Sequence, residues 1–238
     1  MSMPPVVILS GGEATRLYPV TKTVSKAMIE ISGRPFIAHQ LELLKRNQIT
    51  KVVLCIGNLG EQIKNFVKDG NEFGLEVRYS QEHDQLLGTG GAVKKALPLL
   101  DDIFFVMYGD SYLDIEFQPV LDYFLSHQGK GLLTVFKNKN QWQKSNIVFK
   151  DAKIIKYDKK EISKDMEYID FGLSLWRKQV FIDSAYAEVF DLAQLIQDLV
   201  SLGELLGYEV DRRFFEIGSF QGIEETRHYL ESQTKEKK

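Results

Sequence analysis

Residues 6–17 read VVILSGGEATRL, four apolar residues that lead through Ser10 into two adjacent glycines. The β-branched residues of the apolar run favour a strand buried on both faces. The glycines let the backbone turn sharply and approach a ligand closely. Thr15 and Arg16 follow, and Lys26 lies ten residues after the arginine. Exposed backbone N–H groups beside a hydroxyl, a guanidinium and an ammonium group predict a cradle for a polyphosphate.

This stretch differs from the two common nucleotide-binding loops. The P-loop pattern GxxxxGK[ST] is absent from the sequence. The dinucleotide fingerprint requires GxGxxG with an acidic residue about 20 positions later, whereas here the glycines are adjacent and the third is missing. A cradle at residues 11–16 is therefore of another type. The alternative is a plain strand followed by a glycine turn that binds nothing.

The composition is that of an ordinary globular protein. The chain has 238 residues, 44% of them hydrophobic and 26% charged, and a formal charge of -3 that gives no reason to expect a nucleic-acid partner. The single cysteine, Cys55, excludes an intrachain disulfide, which suits a reducing cytoplasm. No apolar run approaches the ~18 residues that a membrane span requires. We therefore expect a cytoplasmic protein without a membrane or nucleic-acid partner.

Strands and helices alternate through the first 130 residues. Beyond the opening strand, apolar spacing predicts strands at 51–57, 76–79 and Ile103–Tyr108, and helices at 35–47, 61–68 and 91–100. This rhythm is typical of right-handed βαβ units, which form a Rossmann-like, mostly parallel α/β sheet covered by helices on both faces. Ligands of such sheets bind beyond the carboxyl ends of the strands.

The rhythm changes from about residue 131. Strand-like segments follow one another with little helix between them, and they lie at 131–136, 147–149, 154–157 and 168–176. Residues 150–153 predict a hairpin turn, and helices are predicted at Leu192–Ser201 and 223–230. We expect these added antiparallel strands to form the second wall of a cleft. We treat residues 1–238 as one domain, with halves at 1–130 and 131–232 and a tail at 233–238.

The opening stretch resembles the signature of the sugar-1-phosphate nucleotidylyltransferases, roughly GGxGTRLxPxT followed after a gap by [PS]K. Ala14 stands where the family has glycine, and Ala27 where it commonly has proline. The resemblance extends over residues 6–230 and implies the nucleotide-diphospho-sugar transferase fold. It implies an enzyme that joins a nucleoside triphosphate (NTP) to a sugar 1-phosphate, with Mg²⁺, and releases pyrophosphate. The first half would then bind the nucleotide and the second half the sugar.

The resemblance assigns charged residues to the reaction. Arg16 would hold the triphosphate and offset charge on the departing pyrophosphate, and Lys26 would hold the α-phosphate and the sugar phosphate. Asp110 ends the buried strand FFVMYGD, which is similar to the family's LxGD, where the aspartate binds the metal. Glu216, in FFEIGS, takes the place of a second aspartate. Such hard oxygen ligands suit Mg²⁺.

The remaining site residues are implied by shorter motifs. The nucleotide-binding set is Leu9, Gly11, Gly12, Thr15, Arg16, Gln81, Gly88 and Thr89, although the run LGTGGA at 87–92 is equally typical of a loop-to-helix junction. The sugar-phosphate set is Lys26, Asn146, Asp158, Lys159, Asp170 and Gly172. For the last five, the alternative is that they are solvated groups at strand ends.

The chain looks most similar to the short, single-domain branch that includes heptose-1-phosphate and mannose-1-phosphate guanylyltransferases. This implies a bacterial cell-envelope sugar, with GTP ahead of UTP, CTP and dTTP. One alternative is a nucleotide-binding or regulatory homologue without turnover, supported by the departures at Ala14, at Glu216 and at Asn146, which stands where relatives usually have glycine. Another is a nicotinamide oxidoreductase, although the GxGxxG dinucleotide-binding motif of such enzymes is absent from this sequence. Whether the chain forms a homo-oligomer is left open.

Overall fold

A computed structural model describes residues 2–12, 14–82 and 85–235. Its strands are β1 (Val6–Ser10), β2 (Glu30–Ile31), β3 (Arg34–Pro35), β4 (Lys51–Ile56), β5 (Glu76–Gln81), β6 (Ile103–Tyr108), β7 (Ser111–Tyr112), β8 (Gly131–Lys137), β9 (Ile147–Lys150), β10 (Lys153–Tyr157), β11 (Tyr168–Arg177), β12 (Leu205–Val210) and β13 (Phe215–Glu216). Its α-helices are α1 (Phe36–Arg46), α2 (Gly60–Val67), α3 (Gly88–Ala96), α4 (Gln118–Ser126), α5 (Lys178–Asp183), α6 (Leu192–Ser201) and α7 (Phe220–Lys235).

Within this described part of the chain, one sheet of nine strands runs in the order β5-β4-β1-β6-β11-β8-β12-β10-β9. The first four strands are parallel to one another. Strand β11 lies between β6 and β8 and is antiparallel to both. Strand β12 is parallel to β8, whereas β10 is antiparallel to β12 and β9. The predicted Rossmann-like α/β class with added antiparallel strands is confirmed.

Strand β1 is central because its side chains are buried on both faces of the sheet. Val6, Val7 and Ile8 are fully buried. Val6 and Ile8 belong to the cluster packed by α1, α2, α4 and α7, while Val7 belongs to the cluster packed by α3, α5 and α6. The period of two along a strand produces this division, so the predicted helical cover on both faces follows from one apolar run.

The second half departs from the prediction in two respects. Strand β12 and helix α5 were not expected, nor was α4 at the end of the first half, and β12 adds a parallel pairing where antiparallel strands were predicted. Gly207 interrupts the pattern of β12, and a side chain there would collide with the Phe149 ring. The predicted hairpin turn is confirmed: Asp151 and Ala152 both have positive φ values, 49° and 58°, between antiparallel β9 and β10.

Several boundaries also differ, and the largest differences are at α3 and α7. Helix α3 begins at Gly88 rather than at residue 91. Helix α7 continues to Lys235, so the predicted tail is helical at 233–235, and its residues 236–238 lie outside the described part. Of the helices in the described ranges, none combines the length and the apolar character that crossing a bilayer requires.

Candidate active site

Two adjoining cavities lie at the carboxyl ends of the central strands. The first, of about 230 Å³, is bordered by the loop after β1 and by the start of α3. The second, of about 370 Å³, is bordered by residues of β11 and by the segments around Asn146 and Lys159. Tyr108 and Asp110 line both cavities. The end of β6 is therefore the wall between them.

The predicted residues divide between these cavities. The first is lined by Leu9, Gly11, Gly12, Lys26, Gly88, Thr89 and Asp110. The second is lined by Arg16, Asp110, Asn146, Lys159, Asp170, Gly172 and Glu216. Arg16, which the sequence assigns to the nucleotide, is thus not among the described residues that line the first cavity. Residues that are far apart in the chain thus meet in the arrangement that a reaction between two bound molecules requires.

Close backbone packing explains the glycine that follows β1. A Cβ atom on Gly57 would lie 2.7 Å from the Gly11 carbonyl oxygen, and a Cβ atom on Gly11 would lie 3.3 Å from the Gly57 nitrogen. The loops after β1 and β4 therefore approach too closely for a side chain at either position. Gly12 has open space around it. The first cavity is therefore walled partly by backbone, whose N–H groups suit a phosphate.

Ala14 keeps the conformation that the family's glycine favours. Its φ of 51° and ψ of 43° lie in the left-handed region, where an L-residue costs about 1–2 kcal/mol relative to the right-handed one. The Ala14 carbonyl accepts a hydrogen bond of 2.9 Å from Thr21 Oγ1. The turn into the short helix Thr15–Leu17, which carries Arg16, is preserved without glycine.

Lys26 and Asp110 form an ion pair at the boundary of the two cavities. Their Nζ and Oδ2 atoms are 2.8 Å apart, and their side chains are 18% and 29% exposed. The loop that carries Lys26 is held by Gln62, whose Oε1 accepts from the Ser25 N–H at 2.9 Å and whose Nε2 donates to the Thr23 carbonyl at 2.8 Å. These contacts restrain the loop although Ala27 replaces proline.

A two-stranded sheet brings the second predicted carboxylate, Glu216, close to Asp110. Strand β13 pairs with β7 so that Glu216 lies opposite Ser111. A Cβ atom built on Gly218 would lie 2.6 Å from Glu216 Oε2, 3.0 Å from Arg16 Nη2 and 3.3 Å from Asp110 Oδ2. Glycine therefore leaves room where a guanidinium and two carboxylates converge.

This arrangement fits a magnesium ion held jointly by protein and substrate. In the described ranges, no group of three or more His, Cys, Asp or Glu side chains has the arrangement of a metal site. Mg²⁺ keeps several waters and needs only one or two protein carboxylates when substrate phosphates complete its shell. Glu216 accepts hydrogen bonds from the Gly218 N–H and from Ser219 Oγ, the latter at 2.7 Å. These hydrogen bonds hold the Glu216 side chain, which is longer than that of the family's aspartate, in place.

The second cavity is organised around Lys159. Its ammonium group donates a 3.1 Å hydrogen bond to the Tyr108 hydroxyl and lies 5.1 Å from the centre of that ring. Burial lowers the pKa of Lys159, but Tyr108, Tyr157 and the Asp170 carboxylate raise it by more, so the net shift is upward. Burial, with a contribution from Asp170, raises the pKa of Tyr108 to about 12. Lys159 is a permanent cation in this cavity.

Asn146, Asp170 and Gly172 form one hydrogen-bonded unit. Asn146, which is 7% exposed, accepts the Asp170 N–H at 3.0 Å, and Asp170 Oδ1 accepts the Gly172 N–H at 3.0 Å. Gly172 has a φ of 99°, and the pairing of β11 with β8 shifts register between Asp170 and Ser174. The irregular strand turns these polar groups toward the cavity.

Three predicted residues, Gln81, Asp158 and Thr15, are not among the described residues that line the two cavities, and a fourth, Thr89, lines the first but also has a packing contact. Gln81 donates to Glu61 at 3.2 Å and accepts from Lys64 at 3.3 Å, on the side of the sheet that α2 covers. Asp158 accepts backbone N–H groups of the next turn, and these hydrogen bonds lower its pKa.

The Thr89 hydroxyl accepts the Leu192 N–H at the start of α6. Thr15 shares a short helix with Arg16 and is not among the described residues that line the two cavities. The binding roles of these four residues, like those of the other predicted site residues, remain predictions.

The glycines of LGTGGA also have a packing role. The N–H groups of Gly90 and Gly91 both donate to the Phe190 carbonyl, at 3.0 and 3.2 Å. A side chain at Gly90 would collide with the Phe190 ring, and a Cβ atom on Gly88 would lie 2.6 Å from the Phe190 carbonyl oxygen. The start of α3 must therefore be small to fit against the segment before α6.

Two residues that the motifs did not indicate border the site. Gln40, fully buried, donates to the carbonyls of Tyr108 and Ser111 at 3.1 and 2.8 Å and so holds the turn that carries Asp110. In the sequence, Gln40 could have been identified as a polar residue on the otherwise apolar face of α1. Glu82 lines the first cavity. It follows Gln81 directly at the end of β5, and the two side chains point to opposite faces of the sheet because side chains alternate along a strand.

Comparisons with known proteins identify the family. A family model described as nucleotidyl transferase matches residues 5–231. The D-glycero-alpha-D-manno-heptose 1-phosphate guanylyltransferase of Campylobacter jejuni is 30% identical over 215 residues, which cover 89% of this chain and 93% of that protein. The mannose-1-phosphate guanyltransferase of Kluyveromyces lactis is 36% identical over 135 residues, 55% of this chain and 37% of its own length.

The fold is shared with solved structures. That of HddC from Yersinia pseudotuberculosis complexed with GMP-PN superposes with a TM-score of 0.79 at 23% identity, over 96% of this chain and 100% of that one. At this identity the likeness shows the fold alone. Because the family model matches nearly the whole chain, we conclude that the protein is an enzyme of the nucleotidyl transferase family, one of the sugar-1-phosphate nucleotidylyltransferases that its signature resembles.

Proposed function

We propose that the site residues predicted from the sequence bind an NTP in the first cavity and a sugar 1-phosphate in the second. The observation that carries this proposal is the shared wall. Asp110 lines both cavities and is paired with Lys26 at 2.8 Å. Two anions bound on either side of this wall would meet at a cation and a carboxylate, which is what a phosphoryl-transfer centre requires.

The reaction would be attack of a sugar-phosphate oxygen on the α-phosphorus, with pyrophosphate as the leaving group. The attacking phosphate is already ionised at neutral pH, so the chain need not supply a nucleophile or a strong base. Lys26 would hold the α-phosphate and the incoming phosphate, and Arg16 would offset charge on the leaving pyrophosphate. Alignment and charge neutralisation are therefore the main contributions of the protein.

Asp110 and Glu216 would hold Mg²⁺. When bound, the ion would supply Lewis-acid neutralisation of the phosphate oxygens. The room left by Gly218 between the two carboxylates and Arg16 supports this assignment. Gln40 would act as a positioning residue, because its two hydrogen bonds hold the backbone on both sides of Asp110.

Lys159 would contact the sugar phosphate. Asp170 would accept hydrogen bonds from sugar hydroxyls, and the Asn146 amide would form hydrogen bonds with them. The names of the two similar guanylyltransferases support GTP as nucleotide and a heptose or mannose 1-phosphate as acceptor. A role in cell-envelope polysaccharide synthesis accords with the first of these sugars. A cytoplasmic location accords with the single cysteine, Cys55, which is a buried thiol.

The test is pyrophosphate release by the purified protein with Mg²⁺, across four NTPs and a panel of sugar 1-phosphates. We expect release only when one NTP and one sugar phosphate are present together. Pyrophosphate released with NTP alone would contradict transfer to a sugar. Tight NTP binding without release under any pairing would favour a binding homologue instead.

A further inference from the structure

The two strands that bring Glu216 to Asp110 are too short to fix its position by themselves. Strands β7 and β13 pair through two residues each. One further hydrogen bond of 2.9 Å, from the Ile217 N–H to the Asp110 carbonyl, continues the pairing. A single pairing of two strands is only marginally stable, even when the strands are longer. The position of Glu216 therefore depends on what else packs against β13.

Helix α7 packs against both the ring and the backbone of β13. The Tyr229 ring stacks on the Phe215 ring, with the ring centres 4.0 Å apart. Thr226 is fully buried, and its hydroxyl donates to the Glu216 carbonyl at 3.0 Å and to the Gly222 carbonyl at 2.7 Å. One hydroxyl thus joins the backbone of β13 to the first turn of the helix.

The start of α7 also holds the Glu216 carboxylate. Ser219 Oγ donates to Glu216 Oε1 at 2.7 Å and accepts the Gly222 N–H at 3.0 Å. The Ser219 hydroxyl therefore links a helix N–H to one carboxylate oxygen. The other oxygen, Oε2, accepts the Gly218 N–H and lies on the side of Asp110. One carboxylate oxygen is thus tied to α7, and the other is left toward the proposed metal site.

Gly222 serves through its lack of a side chain rather than through its backbone freedom. Glycine is a poor helix former, and Gly222 is not among the described glycines that have a positive φ. A Cβ atom there would collide with Glu216 Oε1, and it would lie 2.5 Å from the Glu216 carbonyl oxygen and 2.7 Å from its carboxyl carbon. The glutamate therefore occupies the space that any other residue at position 222 would fill.

This space accounts for a glutamate at a position where the family's pattern has aspartate, because the extra methylene needs room. We propose that Gly222 and Thr226 are positioning residues that set the reach of the Glu216 carboxylate toward Asp110, and with it the affinity for a divalent cation. The proposal rests on the proposed metal role of Glu216. Gly222 and Thr226 are not among the described residues that line the two cavities, so they act through Glu216.

The test is the affinity for Mn²⁺, which has the same oxygen ligands as Mg²⁺. Electron paramagnetic resonance measures Mn²⁺ binding with and without a non-hydrolysable GTP analogue. Gly222→Ala should raise the dissociation constant by about tenfold, because the new methyl group displaces the carboxylate. Thr226→Val keeps the shape of the side chain and should raise the constant by about threefold, because a hydrogen bond is lost.

Combining Gly222→Ala with Glu216→Asp separates positioning from packing. Aspartate lacks the methylene that brings the carboxylate against the new methyl group. The double variant should therefore bind Mn²⁺ more tightly than Gly222→Ala alone. Additive losses from the two substitutions would overturn the proposal, and so would an unchanged dissociation constant in Gly222→Ala.

Thr134→Val is the matched control for Thr226→Val. Thr134 is equally buried, and its hydroxyl donates to the Leu173 carbonyl at 2.7 Å within the large sheet. The control should lower the unfolding temperature without changing the affinity for Mn²⁺. Equal losses of Mn²⁺ affinity in the two threonine variants would show that Thr226 acts through general stability.

Glu216→Gln distinguishes this proposal from the proposed function. If Glu216→Gln weakens Mn²⁺ binding and Gly222→Ala does not, the metal role stands and the positioning proposal is overturned. If Glu216→Gln has no effect, the metal role fails and the positioning proposal fails with it. Neither measurement needs turnover, so the result does not depend on finding the sugar phosphate.

Discussion

The two cavities are built from different parts of the chain. The first is walled partly by backbone, at Gly11, Gly12, Gly88 and Gly109, and has fewer charged groups than the second. The second is walled by side chains, including Asn146, Lys159 and Asp170, which contact one another through hydrogen bonds and charge. A wall of backbone changes only when the fold changes, whereas a wall of side chains changes with single substitutions. The second cavity, proposed for the sugar phosphate, is therefore the more adaptable of the two.

The shared wall should be the most sensitive point, since it serves both cavities. Asp110→Asn removes the charge that pairs with Lys26 and would hold the metal, with little change in packing. We expect kcat to fall by about a hundredfold or more with an unchanged unfolding temperature, measured by Mg²⁺-dependent pyrophosphate release and calorimetry. Asp101→Asn, an exposed carboxylate paired with Lys51 at 3.4 Å, is the control. Near-normal turnover would contradict the metal assignment.

Arg16→Ala removes a guanidinium that lies beside both carboxylates where the second cavity meets the end of β6. We expect NTP affinity to fall by about 10- to 100-fold, because charge-assisted contacts with phosphate are lost. Calorimetric titration with a non-hydrolysable NTP measures this change. The control is Lys22→Ala, a nearby exposed cation that lies over the Tyr18 ring. Equal losses in both variants would indicate a general charge effect rather than a cradle.

On the sugar side, Lys159→Met should raise the KM for sugar 1-phosphate by about tenfold. The KM for NTP should stay nearly constant, because Lys159 lines the second cavity and is not among the residues lining the first. Initial rates with each substrate varied in turn separate the two effects, and Lys160→Met is the control. A parallel rise in both KM values would show that the two cavities are not functionally separate.

Beneath the shared wall, Gln40→Met leaves the carbonyls of Tyr108 and Ser111 without their donor. We expect the free energy of unfolding to fall by about 1–3 kcal/mol and the Mg²⁺ concentration for half-maximal activity to rise. Asn47→Leu is the control, since Asn47 bridges α1 to Ile115 and Phe117 without reaching the turn. It should lower stability alone. A Gln40 variant with an unchanged Mg²⁺ requirement would have a structural role only.

The smallest effect concerns stability in the first cavity. Burial raises the pKa of Glu82 above its unfolded value, so the folded state binds more protons as pH falls, and the carboxylate lowers stability at neutral pH. Glu82→Gln should therefore unfold at a slightly higher temperature at pH 7. The difference should shrink as pH falls through the raised pKa of Glu82. A lower unfolding temperature for the variant at pH 7 would contradict this.

The first half was the more predictable from sequence. Its strands are apolar runs buried on both faces, so β6 has the predicted bounds. The pairing of Lys26 with Asp110, 84 positions apart, depended on the family resemblance. Choosing Glu82 over Gln81 required the register of β5. Strand β12 carries Gly207 because Phe149 packs there, and no local pattern announces a contact of that kind.

The position of β11 has a consequence for synthesis of the chain. Its neighbours β6 and β8 both precede it in sequence, so the edge of β6 has no partner until Tyr168–Arg177 has been made. That edge reads IFFVMY, without charge or proline, which is the composition that favours aggregation between chains. At ordinary translation rates, the nascent chain would expose it for on the order of several seconds.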